Sequence, residues 1–174
     1  MAQEIRGQTW DLDGPQLEPF QAAQRLYKAG FTDAKILVEA CATMYGESGW
    51  YVNAWHHNVL RDQNKQILLN TDGKMTITST DLGFIQKNVV WREPIVCLPE
   101  QGAFWAKYGF ETYPSLARAD KSADIAYSLF MTRGFTPWYA HSYWTRHKAR
   151  SVEAVADFLA VAFGLGKNFF TVTK

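Results

Sequence analysis

The chain has 174 residues and is nearly balanced in charge, with 18 lysines and arginines against 17 aspartates and glutamates. Apolar residues make up 47%, enough to bury a core, so we read one domain over 1–174 and exclude a disordered chain. A net charge of +1 with no long basic run does not suggest a nucleic-acid partner, and no apolar stretch of about 18 residues offers membrane insertion.

A first helix is expected from Gln16 to Lys28, stopping at Gly30, a residue suited to the position after a helix end. Thr32 or Asp33 can cap a second helix. Its residues Ile36, Ala40 and Met44 recur at four-residue steps, and it ends between Gly46 and Gly49. Residues 66–78 change character. Ile67-Leu68-Leu69 and the alternating Met75-Thr76-Ile77-Thr78 flank Asn70-Thr71-Asp72-Gly73, which reads as a hairpin about an Asp-Gly turn. A short helix is expected around Ile85, then an irregular aromatic-rich stretch through Pro114. Ser122 to Thr132 reads helical with Ile125, Leu129 and Phe130 inward and Gly134 ending it. Ser151 can cap a last helix through Phe163, with Val155, Phe158, Leu159 and Ala162 on one side. The fold class is α+β, predominantly α, with one small β-hairpin.

Glu47 is the residue with the clearest chemistry. Seven residues separate it from Ala40, roughly 700° of helical rotation, so it returns to within ~20° of the same apolar face. A carboxylate there is desolvated and sits near the negative end of the helix dipole, and both effects raise its pKa. A carboxylic acid that stays protonated near neutral pH is what a general acid must be. The alternative is a helix that ends one residue earlier and leaves Glu47 in water.

Two further segments follow the Met44-Tyr45-Gly46-Glu47-Ser48-Gly49 run. They are Ser79-Thr80-Asp81-Leu82-Gly83-Phe84-Ile85-Gln86-Lys87-Asn88 and Gly134-Phe135-Thr136-Pro137-Trp138-Tyr139-Ala140-His141. In this order the three resemble the lysozyme superfamily, more closely its soluble lytic transglycosylase and goose-type branches, over roughly residues 32–145. The second run is also similar to its counterpart in chicken-type lysozymes. The resemblance implies a two-lobed fold in which a hairpin lobe and a helical lobe face each other across a substrate groove. It implies a peptidoglycan-degrading glycosidase that cuts the β-1,4 bond between N-acetylmuramic acid and N-acetylglucosamine, with peptidoglycan glycan strands as partner; a chitin-type substrate is a further option. Glu47 would be the general acid. Asp81 would be the second carboxylate, a nucleophile or electrostatic stabiliser in chicken-type enzymes and dispensable where the substrate's own 6-hydroxyl closes an anhydro ring. An aspartate two residues before a glycine is also a common turn residue. Ser48, which would orient Glu47, joins Gln86, Trp138, Tyr139 and His141 as the substrate-binding set, with Trp138 equally suited to the core. His141 stands where the family has a tyrosine that bonds toward the acid; His141 or Tyr143 could supply that bond.

Seven tryptophans and eight tyrosines suit sugar rings, whose C–H faces stack on aromatic surface. No cofactor or metal is expected. His56 and His57 are adjacent and lack the His-x-x-x-His or His-Glu-x-x-His spacing of a zinc site. Asn53 and Asn58 would shape the loop across from Glu47. Cys41 and Cys97 fit no metal spacing and read as free thiols. Arg146, His147, Lys148 and Arg150 form a local basic cluster that suits an anionic wall or simply a solvated face. The start, Met-Ala-Gln-Glu-Ile-Arg-Gly, lacks the basic and apolar regions of a signal peptide. For an enzyme of the wall, this leans toward a phage origin, moving from host cytoplasm to cell wall or riding on the particle with phage virion proteins as partners; a bacterial chain trimmed of its signal would look the same. A different class of answer is a non-catalytic wall-binding or virion structural module on the same fold, motivated by His141.

Overall fold

The computed structural model describes residues 2–5, 8–11, 15–52, 54–59, 61–68, 71, 77–90 and 119–164. The fold is predominantly helical, with two small antiparallel sheets. Strands β1 (Ala2–Ile5) and β2 (Gln8–Asp11) pair with Ala2 opposite Asp11 and Ile5 opposite Gln8. Nothing in these short, mixed runs led the sequence reading to a hairpin here.

Helix α1 (Pro19–Ala29) begins three residues later than expected. Gln16 and Leu17 are engaged elsewhere: Gln16 bridges Tyr51, and the Leu17 N–H donates to the Trp50 carbonyl at 3.0 Å. Pro19, with no N–H to leave unsatisfied, then takes the first turn. The Glu18 N–H is satisfied by Gln21 Oε1 at 3.1 Å, half of a capping box. Helix α2 (Ala34–Ser48) is capped by Asp33, whose Oδ1 accepts from the N–H groups of Lys35 and Ile36. It runs past Glu47 and stops at Gly49, which holds a left-handed φ of 61° and donates to the Tyr45 carbonyl.

The second sheet differs from the expected hairpin. Strands β3 (Trp55–Val59), β4 (Ile77–Leu82) and β5 (Lys87–Val90) lie in that order, all antiparallel. The partner of the Ile77 strand is Trp55–Val59 and not the run at 67–69, since Val59 faces Ile77 and Ile67 forms an isolated bridge with Arg61. The proposed turn, apart from Thr71, lies outside the described residues, as do Asn53, Cys97 and the stretch through Pro114.

The helix expected around Ile85 is instead the turn joining β4 to β5. Gly83 and Gln86 both hold positive φ, 77° and 51°, which a right-handed helix does not admit. The Gln86 N–H closes the turn on the Gly83 carbonyl at 3.0 Å. Phe84 and Ile85 read as a helical face because they are apolar, but they are apolar because the turn inserts into the helical core, where both are fully buried.

Helix α3 (Ala119–Arg133) buries Ala123, Ile125 and Ala126, packs Leu129 and Phe130 on the core edge, and ends at Gly134. A 3₁₀ segment, Tyr139–His147, with a break at Tyr143, then leads into α4 (Lys148–Phe163). The N-cap of α4 is His147, four residues before the expected Ser151. Ser151 lies inside the helix and returns its hydroxyl to the His147 carbonyl at 3.1 Å, the back-bonding open to a helical serine. Val155, Phe158 and Leu159 are buried as expected, while Ala162 is exposed.

The core forms where α1 packs on α3 and α4, and α2 packs on α4 and on the 3₁₀ segment. Phe158 holds α1 to α4, with Phe20 edge-on at 5.7 Å and Tyr27 at 5.1 Å between centroids. Trp50, fully buried, donates its indole N–H to the Cys41 carbonyl at 2.9 Å. Cys41 is a free thiol at zero exposure, and burial pushes its pKa far up, so it serves as a small apolar residue. Among the described residues no helix is long and apolar enough to cross a membrane.

Truncating Phe84 to alanine empties the space under the β4–β5 turn. We expect a loss of about 3–5 kcal/mol, measured as a lower denaturation midpoint.

Candidate active site

Two carboxyl groups from distant parts of the chain face one cavity of about 370 Å³. Glu47, from the last turn of α2, and Asp81, from β4, share its wall with Ile85 and Gln86 of the buried turn. Leu129 and Arg133 of α3 and the run Thr136, Pro137, Trp138 and Tyr139 complete the lining.

The position of Glu47 follows from small residues beside it. Gly46 lies so close to the 3₁₀ segment that a Cβ there would stand 2.8 Å from Ala140 Cβ. That approach brings the Ala140 N–H to Glu47 Oε1 at 2.7 Å. Half-buried, Glu47 has its pKa pushed up by desolvation; the Ala140 N–H offsets part of this, and the negative charge of Asp81 adds to it. With Oε1 accepting from Ala140, the proton of the neutral acid resides on Oε2. The helix thus extends past Glu47 and shelters it, which removes the alternative of an early helix end.

Asp81 is a strand residue rather than a turn residue, half-buried, and its Oδ2 accepts from Asn58 Nδ2 at 2.9 Å. Asn58 was expected in a loop across from Glu47; it stands on β3 and holds the second carboxylate. Gln86 ties its side-chain amide to the Gly83 carbonyl at 3.0 Å at the cavity wall. Trp138 belongs to the core and to the cavity together. It is 5% exposed, and its indole N–H donates to the Ile85 carbonyl at 3.0 Å, pinning the turn. Tyr139 is 82% exposed at the rim.

Two expected residues lie elsewhere. Ser48 is buried and spends its hydroxyl on the backbone, donating to the Met44 carbonyl and accepting from the Trp50 N–H, which closes the end of α2. It does not line the cavity. The His141 ring lies flat on Phe135, 4.6 Å between centroids and 9° from parallel, and its Nε2 meets Glu39 of α2. The bond toward the acid that the resemblance assigns to a side chain comes here from the backbone of the preceding residue, Ala140. Tyr143 packs against Tyr139 and His147.

The sequence reading missed Arg133 and Glu39. Arg133 ends α3 and brings a cation to the rim, and Glu39 anchors the 3₁₀ segment from α2. Neither stands in a motif, and only the packing of separate elements gives them roles. Among the described residues no group of His, Cys, Asp or Glu is arranged to hold a metal ion. No family model matches the chain, and no curated protein matches it in sequence.

A methyl group at Gly46 must push α2 and the 3₁₀ segment apart. We expect Gly46→Ala to cost about 1–3 kcal/mol in a denaturant melt. Weakening the Ala140 bond should raise the Glu47 pKa further, which carboxyl ¹³C titration reads directly.

Proposed function

We propose that this protein is a glycosidase of peptidoglycan, cleaving the β-1,4 bond between N-acetylmuramic acid and N-acetylglucosamine on a lysozyme-like, two-lobed fold. The observation that carries the reading is a half-buried carboxyl, Glu47, with its pKa raised, sharing one cavity with a second carboxylate, Asp81. The three segments that resemble the lysozyme superfamily each contribute to that cavity, through Glu47, through Asp81, Ile85 and Gln86, and through Thr136 to Tyr139.

In this reading the glycan crosses between the three-stranded sheet and the helices. Glu47 delivers the proton on Oε2 to the glycosidic oxygen as the C1–O bond breaks, and the sugar becomes oxocarbenium-like. The Ala140 N–H strengthens its hold as Oε1 gains negative charge, so the same bond that trims the pKa of Glu47 stabilises its conjugate base. Asp81, oriented by Asn58, supports the positive sugar. Glu47 then recovers its proton from the group that attacks C1, either water or the sugar's own 6-hydroxyl. Tyr139 and the rim of Trp138 offer stacking surface, and Gln86 a polar edge. A phage origin, as a free lysin or a virion component, suits the same reading.

The deciding experiment is mass spectrometry of fragments released from purified peptidoglycan. Wild type should release soluble fragments, and Glu47→Gln should lower the rate by about 10²–10⁴-fold while still binding wall. Anhydro ends would indicate the internal hydroxyl, and reducing ends water. No fragments from several wall types, with binding retained, would favour the non-catalytic module.

The rate should fall as pH rises through the elevated pKa of Glu47, because only the protonated acid works. Asp81→Asn removes a negative charge that raises that pKa, so in residual activity the falling limb should move to lower pH.

A further inference from the structure

Beyond the cavity, a row of aromatic rings leads away from Tyr139. The Tyr139 ring meets Tyr143 edge-on at 5.7 Å, Tyr143 meets His147 at 6.3 Å, and His147 meets Tyr45 of α2 at 5.1 Å. Two guanidinium groups cover this row, Arg146 at 5.2 Å from the centre of the Tyr143 ring and Arg150 at 4.6 Å from that of Tyr45. Lys148 lies beside it, 6.0 Å from the centre of Trp144. The row is preformed, since a Cβ at Gly46 would meet both His147 and Tyr143 within about 3.5 Å.

Charge is strongly segregated here. The chain as a whole is almost neutral, yet residues 125–152 contain Arg133, Arg146, Lys148 and Arg150 and no aspartate or glutamate. Among the described residues none of these four cations has a carboxylate partner; the carboxylate of Glu39 contacts His141 instead. Lys148 and Arg150 also sit in the first turn of α4, where cations oppose the helix dipole, so helix stability does not account for them. A guanidinium lying over a ring uses its face and keeps its N–H edge for a planar anion.

We propose that this row extends the cavity and binds the carboxylates carried by the glycan strand, so that the protein prefers acidic strands over neutral ones. The inference rests on the reading that the cavity takes a glycan strand. Continuity through Tyr139, which belongs to both cavity and row, assigns the row to the same strand and not to a second ligand. The exposed ring of Tyr139 takes a sugar C–H surface, and Arg146 and Arg150 take the acidic substituents.

The test is made on the full chain carrying Glu47→Gln, which leaves the strand uncut. Soluble peptidoglycan strands are titrated calorimetrically before and after conversion of their carboxyl groups to amides. Amidation should weaken binding about tenfold at low salt and flatten its salt dependence. Adding Arg146→Gln and Arg150→Gln should make the two strand forms bind alike. Adding Arg61→Gln and Lys65→Gln, an equal change of charge far along the chain, should leave the preference intact. Equal binding of both forms by the parent, a preference that survives loss of Arg146 and Arg150, or one lost in the control overturns the proposal. So does displacement of the strands by a phosphate polymer or single-stranded DNA at lower concentration than by free acidic strands. Amidation-insensitive binding refutes this inference alone, whereas failure to bind either form refutes the glycan reading beneath it.

Discussion

The close contact between Gly46 of α2 and Ala140 of the 3₁₀ segment is the constraint from which the candidate site follows. Nothing larger than a hydrogen fits at Gly46, and the resulting approach delivers a backbone N–H to Glu47. The same helix grips the same segment a second time. Glu39, about two turns earlier on α2, holds His141, the residue after Ala140. Two carboxylates of one helix therefore hold consecutive residues of the segment, one through a backbone amide and one through an imidazole. The stack of His141 on Phe135 secures the far side.

The second carboxylate reaches the cavity by a different device. Strand β4 enters the helical core through its own turn, with Phe84 and Ile85 as the buried plug and the Trp138 indole bonded to the Ile85 carbonyl. Trp138 stands two residues before Ala140, so the 3₁₀ region connects to both walls: to the sheet through Trp138 and to α2 through Ala140 and His141. The wall that carries Trp138 and Ala140 is therefore tied to both neighbouring elements by hydrogen bonds.

This arrangement has a cost to stability with a definite pH dependence. Glu47 has a folded-state pKa above its unfolded value because burial disfavours its charge. Its contribution is fully favourable below the unfolded pKa and is lost as pH rises through the folded one. At neutral pH the site thus holds a group that burial favours in its neutral form.

Local signals in the sequence were enough for much of this. The four-residue apolar rhythm of α2, the Asp33 cap, and the glycines at 30, 49 and 134 placed three helix ends closely, because helix periodicity and capping are properties of a few neighbouring residues. The rotation from Ala40 to Glu47 pointed that side chain toward apolar surroundings but left open a helix ending one residue earlier, an alternative that only the structure closes. Local pattern failed where an apolar residue had two explanations: Phe84 and Ile85 look the same in a helix face and in a turn buried by other elements. It failed also where a strand's partner had to be chosen, since the run at 67–69 is the more β-prone by composition and only the packed sheet selects Trp55–Val59. Glu39 and Arg133 carry no signal in their own neighbourhoods, and the motifs that hold Ser48 and His141 do not show the backbone and Glu39 contacts those side chains make. The sequence by itself determined the extent of most of the long helices and the face on which Glu47 lies, because those depend on residues within a turn or two. Which groups meet that acid, the Ala140 N–H and Asp81, only the tertiary structure decided, because contacts across the fold depend on how closely whole elements can approach.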